Sequence, residues 1–126
     1  SPAKAEALAD ELGCTVAATP RALSDASDVV VTMLADDNSS TAVHDGPDGL
    51  FAGSARIFVE MGTMSPDHIH WLTGTAPEDA QVVDAPVSGA TQAAQVAQLM
   101  IMAGCGRFSM PWGARRCFLG SRGPAR

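Results

Sequence analysis

The fold is decided by residues 28–34, which read DVVVTML. An apolar run of this length with polar residues on both sides is typical of a strand buried on both faces of a parallel sheet. Three similar runs follow along the chain: ARIFVEMG at residues 55–62, QVVDAP at 81–86 and QLMIMAG at 98–104. We therefore expect at least four strands in the core.

Helix signals separate these strands. A capping residue is followed directly by proline at three places, Ser1, Thr19 and Ser65, and this pair is typical of a helix start. The first helix is expected to end at Gly13, and a further short helix is expected through Val43 and His44. Strands that alternate with helices predict an α/β fold with a mostly parallel sheet and helices on both faces.

The charge of the chain is unevenly distributed. The 126 residues carry a net charge of −6, yet the five arginines of residues 107–126 are accompanied by no acid. This last segment is also rich in Gly and Pro and has no periodic pattern, so we expect a domain at residues 1–106 and an irregular basic tail at 107–126. Such a tail can bind an acidic partner, or it can mark a chain that has left its parent reading frame.

Several function classes are disfavoured. The net negative charge argues against general nucleic-acid binding, and no run of about 18 apolar residues predicts a membrane span. The start of the chain also lacks the pattern of a signal peptide. Cys14, Cys105 and Cys117 have no CxxC spacing and no nearby histidine, so we expect reduced thiols, a cytoplasmic location and no metal site.

Ligands of open parallel sheets bind beyond the carboxyl ends of the strands. The segments at these ends are MLADD at residues 33–37, EMGTMSP at 60–66 and DAPVSGA at 84–90. From the residues alone, Leu34 and Ala35 are expected in core and loop, Thr63 is either a turn or a ligand residue, and the position of Ser88 favours a ligand site.

The histidines and two residues of the third strand end are given structural roles. His44, His68 and His70 lie on predicted helix surfaces, where a solvated or packing role is expected rather than catalysis. Asp84 and Pro86 are expected to be structural, with the proline ending the pairing of the strand.

Four segments in this order, DVVVTMLADD, GPDGLFAG, EMGTMSP and DAPVSGA, resemble the NAD(P)-binding domain of the β-hydroxyacid dehydrogenases. That family includes 3-hydroxyisobutyrate dehydrogenase and 6-phosphogluconate dehydrogenase, and the resemblance covers residues 1–104. It implies a partial Rossmann-like, doubly wound sheet that lacks its first two strands. It also implies NAD or NADP as cofactor and a small β-hydroxy acid as substrate.

The resemblance also implies roles for individual residues. Those implied for the cofactor are Leu34 and Ala35 on the adenosine ribose side, Ser39 nearby, and Thr63 near the nicotinamide ribose. Those implied for the substrate carboxylate are Ser88, Gly89 and Ala90, which stand where the family has Ser-Gly-Gly.

Two family features are missing from the sequence. It has no GxGxxG turn, which cradles the pyrophosphate, and its single lysine, Lys4, lies in the wrong segment to be the catalytic lysine of the family. We therefore assign no catalytic residue and expect a fragment of a dehydrogenase that is inactive alone. Two alternatives stay open: a non-catalytic binding or assembly module, with a homo-dimer covering the open sheet edge, and a truncated or frame-shifted product without function.

Overall fold

The computed structural model of the chain describes residues 1–105 and 117–118. Its helices are α1 (Pro2–Leu12), α2 (Pro20–Asp25), α3 (Asp37–His44), α4 (Pro66–Thr75) and α5 (Thr91–Gln95), with a 3-10 helix at Leu50–Ala52. Its strands are β1 (Val29–Thr32), β2 (Ile57–Glu60), β3 (Gln81–Asp84), β4 (Val87–Ser88), β5 (Met100–Cys105) and β6 (Cys117–Phe118). Within this part of the chain, no helix is long and apolar enough to cross a membrane.

The three predicted helix starts are confirmed. The Thr19 hydroxyl oxygen accepts the backbone N–H of Ala22 at 3.1 Å, and the Ser65 hydroxyl oxygen accepts that of His68 at 3.2 Å. Ser1 stands at the cap position of α1 without a side-chain capping bond. The α1 helix ends as predicted at Gly13, whose φ of 67° is the left-handed conformation that glycine adopts without steric cost.

The sheet confirms the predicted mixed α/β, mostly parallel architecture. Strands β1, β2 and β3 are parallel neighbours, and the strand order is β1-β2-β3-β5-β4, with β6 also paired to β5. Strand β5 runs antiparallel to both β3 and β4, and the connection from β4 to β5 holds only the five-residue helix α5, which is too short for a parallel crossover. Two residues of the expected irregular tail form β6, and the rest of that tail lies outside the described residues.

The hydrophobic core lies on one face of the parallel strands. Its members are Val30, Leu50, Ala55, Phe58 and Ala80, flanked by Val43, Phe51 and Ala76. These residues come from β1 and β2, from the 3-10 helix, from α3 and from the segments before β2 and after α4, so one face of the sheet is covered.

The opposite face of β1 and β2 is open. Val29, Val31 and Ile57 point to it and are 47%, 56% and 38% exposed. The prediction that residues 28–34 are buried on both faces is therefore wrong for the described part of the chain. The physical reason is that the core residues pack against one face of β1 only, so burial alternates along the strand.

Candidate functional site

A row of polar residues ends the buried face of the parallel strands. Thr32, Glu60 and Asp84 are register partners on β1, β2 and β3, each two residues after an apolar residue of the same face. Glu60 is 1% exposed and Thr32 is 8% exposed, while Asp84 is half-buried. The apolar interior of the sheet thus changes to polar side chains at its carboxyl edge, where the predicted ligand loops begin.

The loops after β1 and β2 lie against each other. A Cβ atom on Gly62 would be 2.7 Å from the carbonyl oxygen of Leu34, so the two backbones approach as closely as glycine permits. The carboxylate of Asp37 accepts both the backbone N–H of Ser65, at 3.0 Å, and its hydroxyl, at 2.6 Å. These contacts join the segment that holds Leu34 and Ala35 to the segment that holds Thr63.

The predicted cofactor residues differ in their exposure. Ala35 and Thr63 are exposed, whereas Leu34 and Ser39 are partly buried. Ser39 lies in the first turn of α3, where its backbone N–H donates to the carboxylate of Asp36 at 2.8 Å. This hydrogen bond caps the helix and is the main cause that lowers the pKa of Asp36.

The predicted substrate residues are held in a different part of the sheet. Ser88 lies in β4 and is the register partner of Met100 in β5, and β5 separates β4 from β3. Gly89 has a φ of 131°, and a Cβ atom there would be 2.9 Å from a methyl carbon of Leu99. Ala90 has a φ of −84°, so the alanine at the second glycine position of the family pattern fits without strain.

A buried hydrogen-bond network lies behind the joined loops. The Ser40 hydroxyl donates to Oε2 of Glu60 at 2.9 Å, and the backbone N–H of Gly62 donates to Oε1 at 3.0 Å. Since a carbonyl oxygen can only accept, Nδ1 of His44 carries the proton and donates to the carbonyl oxygen of Ser40 at 2.8 Å. The side chains of Ser40, His44 and Glu60 are all at most 2% exposed.

Two of the three histidines are buried, so their predicted place on helix surfaces is wrong. His44 is 2% exposed and its ring lies 5.0 Å from that of Phe51. His68 is 7% exposed and stacks on Trp71 at 5.4 Å. The reason is that these residues face the sheet and the core, so they have the packing role that the sequence indicates, while His70 is exposed.

Sequence reasoning missed the network itself. Ser40 and His44 are four residues apart and therefore share one face of a helix, and Glu60 follows Phe58 by two residues and so shares its buried face. These spacings were the available signals, but they show a network only when the sheet register and the position of α3 are known.

Burial and neighbouring groups shift the pKa values at this edge. Burial lowers the pKa of His44. Burial first, and the neighbouring Glu60 second, raises the pKa of Asp84. Hydrogen bonds from Ser65 lower the pKa of Asp37. The joined loops therefore present ionised carboxylates at Asp36 and Asp37 near neutral pH.

The loops that follow β1, β2 and β3 contain no lysine or arginine. Lys4 lies on α1, Arg21 lies on α2, and Arg56 lies just before β2, which is the opposite end of that strand. In the described ranges, no group of three or more His, Cys, Asp and Glu side chains could hold a metal ion. The chemistry of the edge suits hydroxyl and amide groups of a ligand better than its phosphates.

Comparisons with known proteins identify the family of the chain. The family described as the NAD-binding domain of 6-phosphogluconate dehydrogenase matches residues 1–113. An uncharacterized oxidoreductase of Bacillus subtilis strain 168 is 40% identical over 102 residues, which are 79% of this chain and 35% of that protein.

Two solved structures are similar in fold. Mycobacterium tuberculosis 3-hydroxyisobutyrate dehydrogenase, solved with L-serine, has a TM-score of 0.69 at 29% identity over 82% of this chain and 35% of that one. A protein solved in complex with NADP+ and 2-OPP has a TM-score of 0.68 at 25% identity over 77% of this chain and 37% of that one. The chain thus spans about a third of the length of these relatives. On the match to residues 1–113, it belongs to the family of NAD-binding domains of the 6-phosphogluconate dehydrogenase type.

Proposed function

We propose that this chain is part of an NAD(P)-dependent oxidoreductase of the 3-hydroxyisobutyrate dehydrogenase type, in which hydride passes between a nicotinamide and a small β-hydroxy acid. The observation that supports this most is the close contact between Gly62 and the carbonyl oxygen of Leu34. It joins two ligand loops at the carboxyl edge of a parallel sheet, in a chain of an NAD-binding family. When bound, the nicotinamide supplies the redox chemistry.

The residues of the chain bind and orient in this proposal. Leu34 and Ala35 lie against the adenosine ribose, and the exposed hydroxyl of Thr63 bonds to the nicotinamide ribose. Ser39 adds a polar contact through its partly buried side chain. The bonds between Asp37 and Ser65 keep the two loops in place.

Ser88, Gly89 and Ala90 hold the carboxylate of the substrate. The Ser88 hydroxyl and the backbone N–H groups that follow it are suited to an anion, and all three residues are exposed. The positive φ of Gly89 gives this turn a shape that a residue with a side chain rarely adopts.

The charge of the edge limits what the chain does alone. Asp36 and Asp37 repel a pyrophosphate, and the sequence has no GxGxxG turn to cradle one. We expect the 126-residue chain to bind NADH or NADPH with a dissociation constant of about 1 mM, which is about 4 kcal/mol of binding free energy. With Lys4 as its single lysine, the chain is expected to show no turnover.

Calorimetric titration of NADH and NADPH into the chain tests this proposal. Thr63→Val removes the proposed hydroxyl contact and should weaken binding by about fivefold, since one neutral hydrogen bond contributes about 1 kcal/mol. Thr73→Val is the matched control, because the Thr73 hydroxyl donates within α4 to the carbonyl oxygen of Ile69. Equal affinity of the two variants would contradict the role of Thr63, and oxidation of 3-hydroxyisobutyrate above background would contradict the expected inactivity.

A second candidate function is an assembly module in the cytoplasm, favoured by the open face of the sheet. Val29, Val31 and Ile57 form an exposed apolar strip, and β1 has β2 as its single strand neighbour among the described residues. We propose that a second copy of the chain covers the free edge of β1, since unpaired edges favour strand pairing, and that it also packs against this strip.

Sedimentation analysis tests the second candidate. Wild type should be a dimer and Val31→Lys a monomer, because the lysine places a charge in the strip. The control is Val16→Lys, at a residue that is 43% exposed and lies outside the strands. A wild-type monomer would contradict the assembly function.

A further inference from the structure

We propose that Glu60 is a positioning residue, whose buried carboxylate fixes the Gly62–Thr63 turn in the shape that receives the nicotinamide ribose. This inference rests on the proposed function of the carboxyl edge. Glu60 itself is 1% exposed and lies behind the turn, so it acts through the backbone that it holds.

The two carboxylate oxygens of Glu60 have different partners. Oε1 accepts the backbone N–H of Gly62 at 3.0 Å, and Oε2 accepts the hydroxyl of Ser40 at 2.9 Å. Ser40 is fully buried in α3. One side chain of β2 therefore connects the turn after its own strand to the helix that follows β1.

The energetics of burial favour a role in geometry over one in stability. A carboxyl group taken out of water needs hydrogen-bond donors, and replacing both partners of a buried hydrogen bond by apolar groups of the same shape is often nearly neutral for stability. Its donors are a hydroxyl and a backbone N–H, so Glu60 is held by neutral groups. What the carboxylate adds is a fixed direction for the N–H of Gly62.

The surroundings of Gly62 transmit any displacement of this carboxylate. A Cβ atom on Gly62 would be 2.6 Å from the terminal carbon of Met64, 2.7 Å from the carbonyl oxygen of Leu34 and 3.0 Å from Oε1 of Glu60. The turn is enclosed on these sides, so movement of the carboxylate changes the direction of the next residue, Thr63.

Three variants test the role of Glu60. Glu60→Ala removes both acceptors, Ser40→Ala removes one donor, and Glu60→Gln keeps the size and one acceptor oxygen. Ser24→Ala is the matched control, because Ser24 is also fully buried and its hydroxyl oxygen accepts the backbone N–H of Ala55 at 3.1 Å, at the amino end of β2.

The measurements are amide hydrogen exchange at Gly62 and titration with NADPH as the probe, each beside the global stability of the same variant. We expect exchange at Gly62 to accelerate at least tenfold in Glu60→Ala, less in Ser40→Ala and least in Glu60→Gln, with NADPH affinity falling in the same order by up to about tenfold. Ser24→Ala should lower stability as much as Ser40→Ala and change neither quantity beyond its effect on stability.

The outcomes separate this inference from the proposed function. If Ser40→Ala behaves like Ser24→Ala in both measurements, or if Glu60→Gln is no better than Glu60→Ala, Glu60 is a structural residue and the inference is wrong. If wild type does not bind NADPH, both the proposed function and the cofactor role of the turn fail. In that case, unchanged amide exchange at Gly62 in Glu60→Ala would also show that Glu60 does not hold the turn. Accelerated exchange would show that Glu60 holds the turn but that the turn does not bind the cofactor.

Discussion

The two ends of the parallel strands differ in whether their charged side chains are buried. At the carboxyl end, the side chains of Ser40, His44 and Glu60 are buried and hydrogen-bonded to one another or to backbone. At the amino end, the charged groups are exposed, as in the ion pair between Arg56 and Asp79 at 2.8 Å. Ser24 is also buried at the amino end and accepts the backbone N–H of Ala55, so the carboxyl end is distinguished by a buried carboxylate, whose oxygens need fixed donors.

The largest expected effect comes from two glycines that lie at opposite ends of β2. A Cβ atom would be 2.7 Å from the Leu34 carbonyl oxygen at Gly62, and 2.4 Å from Cβ of Ser24 at Gly53. Gly62→Ala and Gly53→Ala should each lower the free energy of unfolding by about 1–3 kcal/mol through overpacking. Urea denaturation measures both losses, and we expect weaker NADPH binding only in Gly62→Ala.

Gly74→Ala is the control for these substitutions. Gly74 lies in α4, and a Cβ atom there would have no heavy atom within 4 Å, so alanine should stabilise the helix by about 0.5–1 kcal/mol. Equal loss of NADPH affinity in Gly53→Ala would remove the distinction between the two ends.

An intermediate effect is expected from the pH dependence of stability. Burial lowers the pKa of His44 in the folded chain below its usual 6.5, so the unfolded chain binds the proton more readily. As the pH falls below about 6.5, the free energy of unfolding should decrease. Glu60 opposes this shift of the His44 pKa, and His68 adds to it.

Urea denaturation between about pH 7.5 and pH 5.5 tests whether the free energy of unfolding decreases as the pH falls, because the pKa of histidine in the unfolded chain lies near 6.5. The raised pKa of Asp84 has the opposite effect at lower pH, since the folded state then binds the proton more readily. His70→Gln changes an exposed residue and should keep the slope of wild type. A flat profile for wild type would mean that His44 is not held neutral by burial.

The smallest effect is expected at the amino end. The carboxylate of Asp79 is 71% exposed and accepts Nε–H of Arg56 at 2.8 Å. Asp79→Asn should therefore change the free energy of unfolding by less than about 1 kcal/mol, because solvent and salt screen exposed ion pairs. Thermal denaturation at two salt concentrations measures the change, and a loss above about 2 kcal/mol would show that charged groups at this end also need fixed partners.

The sequence predicts those features of the fold that have local causes. The helix starts at Thr19 and Ser65 follow from a capping side chain and the proline after it, and the ends of β2 and β3 follow from their apolar runs. The prediction that both faces of β1 are buried is wrong because the exposure of Val29 and Val31 depends on what packs against the strand. That information is absent from the run of residues itself.

The candidate site is predicted less completely for the same reason. Leu34 and Thr63 follow neighbouring parallel strands. Because the carboxyl ends of parallel strands lie at the same edge of a sheet, their loops are expected to lie close together. Glu60 and Ser40 are 20 residues apart and meet only through the packing of α3 against β2. The antiparallel direction of β5 likewise depends on the short connection before it rather than on its own residues.

NMR mapping of NADPH on the isotopically labelled chain tests whether the carboxyl ends of β1 and β2 bind the cofactor. We expect the amide shifts to concentrate at Ala35, Gly62 and Thr63. The amino end supplies the internal reference, through the amides of Ser54 and Arg56, which line a cavity of about 370 Å³ there. Shifts centred on that cavity, or no shifts at the carboxyl end at saturating NADPH, would show that the carboxyl ends of β1 and β2 are not the cofactor site.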